Sequence, residues 1–406
     1  MIERIVIFRA LQLGDMLCAV PALRALRRAN PRAHIALIGL PWAQRFVERY
    51  AHLVDELIVF PGAIGFPEQE ETNAHLPAFL HALRERRLDL AIQLHGSGGV
   101  ANDIVEGMGA RLNAGFLKHG ERMREGVFMP WPDDLPEPAR YAALMQRRGI
   151  DVHDLDLEIP LTQDDRHECN ALIHACALDC DKLVLVHPGA QLPSRRWPVE
   201  RFGEVARALS QAGWQIAVTG SASEAPLTAR VAGDAGAHAI NLAGRTSLGA
   251  LAALVAKARL VVCNDTGLSH VAAAMRTRSV VIASGSDTRR WAPLDHARHR
   301  VLADWPACRP CAFRECPYGH ECALNISVQS VLDAAFAQLQ ETVREETPVH
   351  AHDYFPALAC AHVAYPRQLP VLPEPGAARF LSRHASRLSA GLCGHGRRFA
   401  VRLERA

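Results

Sequence analysis

No apolar run in this 406-residue chain is long enough to cross a membrane; the longest are of strand length and charges interrupt them. No export signal is expected either. Arg4 precedes Ile5-Val6-Ile7-Phe8, but Arg9, Gln12 and Asp15 break the run before an apolar core forms. Charge of one sign is also missing. The formal net charge is +2, which gives no global case for nucleic acid, so none is expected as a partner. These absences lead us to expect a cytoplasmic chain. Its eleven cysteines are then thiols or metal ligands rather than disulfides.

What is present fits a soluble globular protein, with 49% hydrophobic and 22% charged residues. The length suits two domains, since single α/β cores seldom grow past roughly 250 residues. Short apolar runs alternate with helical patterns, the signature of βαβ units. Strands are expected at Ile5–Phe8, His34–Leu40, Val54–Phe60 and Leu88–Leu94, with a helix from about Asp15 to Ala29. Prolines between Pro130 and Pro138 mark a rim loop before a helix near Arg140–Arg148. The charged, patternless stretch 149–165 reads as a linker. The pattern then restarts, with strands at Leu183–Val186, Trp214–Gly220 and Leu260–Cys263, and Val280–Ala283 as the last clear one.

The expected organisation is therefore an α/β domain over 1–160, a second over 161–348, and a basic Pro/Arg-rich tail over 349–406. That composition suggests a poorly ordered extension. Two α/β halves imply a cleft, and ligands of open α/β sheets bind beyond the carboxyl ends of the strands.

Five polar segments sit at such ends. Leu13-Gly14-Asp15 follows the first strand, where Gly14 permits a tight turn. Asp15 reads either as an N-cap or as a general base at the cleft mouth. Asp265-Thr266-Gly267 with His270 opens a helix whose N-terminus attracts phosphate, or is simply a capped turn. Arg195 and Arg196 grip a diphosphate or belong to a solvated loop beside Trp197 and Pro198. Glu224 accepts ribose hydroxyls or is a first-turn acid. Cys308, Cys311, Cys316 and Cys322 form either a structural zinc knuckle or reduced thiols tightening a loop; their spacing is not a standard paired CxxC.

Together these segments resemble the ADP-heptose:lipopolysaccharide heptosyltransferases, glycosyltransferase family 9, over roughly residues 2–332. The carriers are Leu13-Gly14-Asp15 with Pro21-Ala22-Leu23; His187-Pro188-Gly189-Ala190; Arg195-Arg196-Trp197-Pro198 with Arg201-Phe202; Asn241-Leu242-Ala243-Gly244; and Asn264-Asp265-Thr266-Gly267 with His270. Cys308-x2-Cys311 with Cys316-Pro317 and Gly319-His320 adds to them.

The resemblance implies a GT-B fold, with acceptor binding in the first domain and nucleotide-sugar binding in the second. It also implies an inverting transfer that needs no catalytic metal, from ADP-heptose to the inner core of lipopolysaccharide. Asp15 is then the base, Arg195 (usually lysine) a phosphate grip and Glu224 a nucleoside contact. Asp265, Thr266, Gly267 and His270 are diphosphate and sugar contacts. Because such an acceptor is membrane-anchored, peripheral contact with the inner membrane is expected. One departure is Ala283-Ser284-Gly285-Ser286, which replaces the Phe-Gly-Pro-like turn common in the family. Two other readings stay open at this point: a GT-B-like nucleotide-sugar epimerase, and a non-catalytic nucleotide-sugar-binding protein.

Overall fold

The computed structural model describes residues 2–341; the tail over 349–406 lies outside them. The first half runs β1 (Arg4–Phe8), α1 (Leu13–Ala29), β2 (His34–Gly39), α2 (Gln44–Arg49), β3 (Glu56–Val59), α3 (Leu76–Glu85), β4 (Leu90–Gln93), α4 (Val100–Gly107), β5 (Leu112–Leu117), β6 (Val127–Pro130) and α5 (Glu137–Arg147). The second runs α6 (Gln163–Ala175), β7 (Leu183–His187), α7 (Val199–Gln211), β8 (Gln215–Val218), α8 (Ala225–Ala235), β9 (Ile240–Asn241), α9 (Leu248–Lys257), β10 (Leu260–Asn264), α10 (Gly267–Ala274), β11 (Ser279–Ala283), α11 (Thr288–Trp291), β12 (His299–Ala303), α12 (Glu321–Leu324) and α13 (Val328–Gln340).

The first sheet has the order β3-β2-β1-β4-β5-β6 and the second β12-β11-β10-β7-β8-β9. The paired strands run parallel, for example Ile7 beside Leu37 and Ile92, and Val262 beside Val186 and Val280. Counted from its own first strand, each sheet has the Rossmann order 3-2-1-4-5-6. The connection reverses between β1 and β4, and again between β7 and β10, and ligands of such sheets collect at these reversals. The central strands are near-continuous apolar runs because helices cover both faces. Ile5 to Phe8, Leu183 to Val186 and Leu260 to Cys263 are all buried. Each such side chain contributes about 1.5–3 kcal/mol on burial.

Several sequence expectations are corrected. Helix α1 starts at Leu13 with Gln12 as its N-cap, and it runs through Pro21, whose neighbours Val20 and Ala22 are buried. Packing against α5 and α10 offsets the backbone hydrogen bond that proline removes. Strands β5 and β6 had no clear apolar signal. Asn113 and Gly115 interrupt one, and Pro130 ends the other, which is tolerated because β6 lies at the sheet edge. Val280–Ala283 is not the last strand, since β12 follows it, starting at His299 and pairing beside β11.

The halves share one hydrophobic cluster, which includes Ile7, Leu26, Tyr141, Leu185 and Val261. Helix α1 packs on α10, and α6 on α9. Beside α6, Arg49 of α2 pairs with Asp165, which also completes a capping box with Thr162. A Cβ at Gly249 of α9 would fall 1.6 Å from Asp165 Oδ1, so only glycine admits this contact.

Candidate functional site

The two reversals meet where α1 touches α10. A Cβ at Gly14 would lie 2.9 Å from His270 Cδ2 and 3.4 Å from Gly267 Cα. Gly14 is therefore needed for close approach of two helices, not for the tight turn that the sequence suggested. Next to it, half-buried Asp15 occupies the first turn of α1. It is not the N-cap, so the capping explanation of this aspartate fails.

Charged side chains surround Asp15. Buried Arg9 donates through Nε to the Asp15 carbonyl (3.1 Å) and through Nη1 to the Leu94 carbonyl. Its guanidinium lies 4.3 Å from the centre of the Tyr141 ring. Burial lifts the Asp15 pKa above the ordinary carboxylate value; Arg9 opposes this and Glu137 adds to it. A desolvated carboxylate with raised proton affinity suits a general base.

His95, beyond β4, is stacked on Phe8 and accepts the Ala10 N–H at Nδ1 (3.1 Å). Burial holds its pKa down at about 3, so it stays neutral and its acceptor nitrogen is occupied. It is a poor substitute base.

In the second half, buried Asn264 joins three loops. Its Oδ1 accepts the Trp197 N–H (2.9 Å), and its Nδ2 donates to the carbonyl of Pro188 (2.8 Å). Sequence reasoning did not single this residue out as functional. Its signal was a polar side chain ending the apolar run Leu260-Val261-Val262-Cys263. Asp265 accepts a hydrogen bond from the Ser286 hydroxyl (2.5 Å). Thr266 is the N-cap of α10 but makes no side-chain cap bond. Thr266 Oγ1 and Ser284 Oγ are buried without a hydrogen-bond partner in the protein, so two hydroxyls remain uncommitted near a helix N-terminus. His270 is buried between the halves, with Nδ1 3.8 Å from Cys18 Sγ, and burial lowers its pKa.

The arginines are fixed by main-chain carbonyls. Arg195 donates to Ser284 O (3.0 Å) and to Cys311 O, and Arg196 donates twice to Ala190 O (2.9 and 2.8 Å). At Gly285, φ is +69° and a Cβ would sit 2.1 Å from Arg195 Nη1, so glycine at this turn makes room for the guanidinium. Glu224 does cap its turn, since its Oε2 accepts both the N–H and the hydroxyl of Ser221 (2.8 Å each). Burial would raise its pKa, but the Ser221 donors, His187 and Arg196 outweigh this and lower it. A Cβ at Gly189 would lie 2.1 Å from Glu224 Oε1, so Gly189 leaves room for that carboxylate.

The cysteine loop folds against the Arg195 segment. Cys311 N–H donates to Gly285 O (2.8 Å), and His320 Nε2 to Ser194 O (3.0 Å). Cys308, Cys311, Cys316 and Cys322 are free thiols. Among the described residues no three His, Cys, Asp or Glu side chains group closely enough to hold a metal ion, so this loop does not fit a zinc knuckle.

Two Rossmann-like domains with their reversal points brought together define the GT-B class of glycosyltransferase. A family model described as glycosyltransferase family 9 (heptosyltransferase) matches residues 76–321. The chain is 28% identical to lipopolysaccharide heptosyltransferase 2 of Salmonella typhimurium, over 81% of its own length and 96% of that protein's. It is 30% identical to lipopolysaccharide heptosyltransferase 1 of Pseudomonas aeruginosa, over 78% and 88%. In three dimensions it is similar to the E. coli ADP-heptose LPS heptosyltransferase II, with a TM-score of 0.62 and 25% identity over 83% and 98% of the two chains. The protein belongs to glycosyltransferase family 9, the heptosyltransferases. That membership sets aside the epimerase and binding-only readings. No helix among the described residues is long and apolar enough to cross a membrane.

Proposed function

We propose that the protein moves heptose from ADP-heptose to a sugar hydroxyl of the lipopolysaccharide inner core, with inversion at the anomeric carbon. The donor and acceptor follow from the named activities of its relatives. The observation that carries the mechanism is the packing of the Asp15 turn directly on the first turn of α10.

Asp15 takes the proton of the acceptor hydroxyl as that oxygen attacks the anomeric carbon. The bond from that carbon to the diphosphate oxygen breaks on the opposite face, and ADP leaves with the electron pair. One in-line displacement with one base inverts the centre. Negative charge grows on the diphosphate as it leaves. The N-terminal amides of α10 at Gly267, the Thr266 hydroxyl and the guanidiniums of Arg195 and Arg196 meet that charge, and fixed donors of this kind stabilise the transition state more than the ground state. Asp265 and His270 line the sugar side, and Glu224 takes the nucleoside.

The test is incubation with ADP-heptose and heptose-deficient lipopolysaccharide. Transfer with inverted configuration is expected. Release of free heptose or isomerised donor, with acceptor present and unmodified, would overturn the assignment. The acceptor is lipid-anchored, so the enzyme works at the inner-membrane surface as a peripheral protein. Co-sedimentation of the full chain with anionic vesicles is expected at low salt, and its absence counts against surface contact.

A further inference from the structure

The sequence motifs leave one buried assembly unused. Glu137, at the start of α5, is buried and accepts four hydrogen bonds. Arg290 of α11, in the opposite half, gives two of them, Nε to Oε2 (2.6 Å) and Nη2 to Oε1 (3.1 Å). Arg140 gives a third at 3.4 Å, and the Tyr141 hydroxyl gives the fourth. Tyr141 lies under Arg9, and Arg9 donates to the Asp15 carbonyl. Trp131 closes the rim, with Arg140 at 4.7 Å and Arg290 at 5.6 Å from its ring centre. A continuous path thus runs Arg290, Glu137, Tyr141, Arg9, Asp15. Its first member comes from the second half and the rest from the first.

We propose that Glu137 is a positioning residue for the transfer step: by holding Arg290 across the cleft and Tyr141 beneath Arg9, it fixes the Asp15 turn only when the two halves are together. The donor-binding half and the base are thereby coupled. A buried carboxylate with four donors is rigid, and its bidentate partner Arg290 lies on α11, which follows the Ser284-Gly285 turn held by Arg195. Movement of that turn on the donor side reaches the base through two guanidiniums.

The inference rests on Asp15 being the base, so the test separates the two. Charged and titratable groups act on Asp15 from several elements: Arg9 after β1, Cys18 on α1, Glu68 in the loop before α3, Glu137 on α5, His270 on α10 and Arg290 on α11, with Tyr141 behind Arg9. The Asp15 carboxyl is followed by 13C NMR in aspartate-labelled full-length protein, its resonance identified by loss in Asp15→Asn. The pH profile of kcat/KM is recorded in parallel.

Glu137→Gln removes a negative charge beside Asp15 and leaves the Arg290 cation near it without its carboxylate. The Asp15 titration and the acid limb of the profile should both move down by about one pH unit. The turn loosens, so kcat should fall by up to about 10²-fold, with donor KM changed far less. Arg290→Gln, at a partly exposed side chain, should move the titration up instead. Glu137→Asp, which keeps the charge, should restore part of the rate. Unmoved Asp15 titration in both Glu137→Gln and Arg290→Gln overturns the inference. If the titration moves as stated but the acid limb does not, the cluster controls Asp15 and the base lies elsewhere.

Discussion

At the reversal of the first sheet, side chains set the chemistry. Asp15 is ringed by Arg9, Glu137, His270 and Arg290, and the charges answer one another. At the reversal of the second sheet, with the same strand order, main-chain groups set it. The carbonyls of Ala190, Ser284 and Cys311 aim arginines, Asn264 ties the loops, and Thr266 and Ser284 keep hydroxyls without partners. One topology thus carries two designs. A base needs a tuned proton affinity, which neighbouring charges and burial provide. A leaving diphosphate needs many donors at fixed spacing, which loops and a helix N-terminus provide.

The largest expected effect is on the first design. Asp15→Asn and Asp15→Ala should both lose the general-base contribution, about 10²–10⁴-fold in kcat, with donor binding retained by calorimetry. Neither should destabilise the fold through a lost cap, because Gln12 is the N-cap. Since the folded pKa of Asp15 is raised, its stabilising contribution is complete below about pH 4 and is lost as pH rises through the folded value. At neutral pH the Asp15→Asn protein should therefore melt no lower than wild type. A fully active Asn variant would move the base to another residue.

In the second design, Arg195→Ala should cost on the order of 3 kcal/mol in kcat/KM, shown as a higher donor KM and a lower kcat together. Unchanged steady-state constants would transfer the role to Arg196. Gly189→Ala should be milder and confined to binding. Its methyl group displaces Glu224 Oε1, so donor KM should rise about tenfold, as loss of one polar contact does, with kcat nearly constant. A kcat loss without a KM change would show that Glu224 does not hold the nucleoside.

The smallest effect joins the halves away from chemistry. Arg49 holds the Asp165 pKa down at about 2, with burial opposing and Thr162 assisting. The contribution is present above about pH 4, the ordinary aspartate value, and is lost as pH falls toward 2. Asp165→Asn should lower unfolding free energy by about 1–2 kcal/mol at pH 7 and by much less at pH 2.5, read by denaturant titration. Equal losses at both pH values would assign the effect to packing against Gly249 instead.

Much of the architecture was legible in the chain. The central strands announced themselves because parallel strands buried on both faces must be continuously apolar. Strand β5 and the edge strand β6 did not, since Asn113 and Gly115 interrupt the first, and Pro130 ends the second, where one side lacks a partner. The motif residues were also legible, because turns, phosphates and close backbone approach favour few residue types. The reasons for them were less so. Gly14 looked like a turn residue and is a contact with His270, and of the two readings of Asp15 the cap does not hold.

By itself, the sequence determined two Rossmann-like sheets, the positions of their ligand loops and the heptosyltransferase motifs, because local periodicity and short-range turn chemistry are written along the chain. Only the tertiary structure decided that Glu137 pairs with Arg290, 153 positions away, and that Arg9 lies beneath Asp15 while Cys311 receives Arg195. Those choices depend on desolvation and on distances between groups far apart in the chain, and no local pattern encodes either quantity.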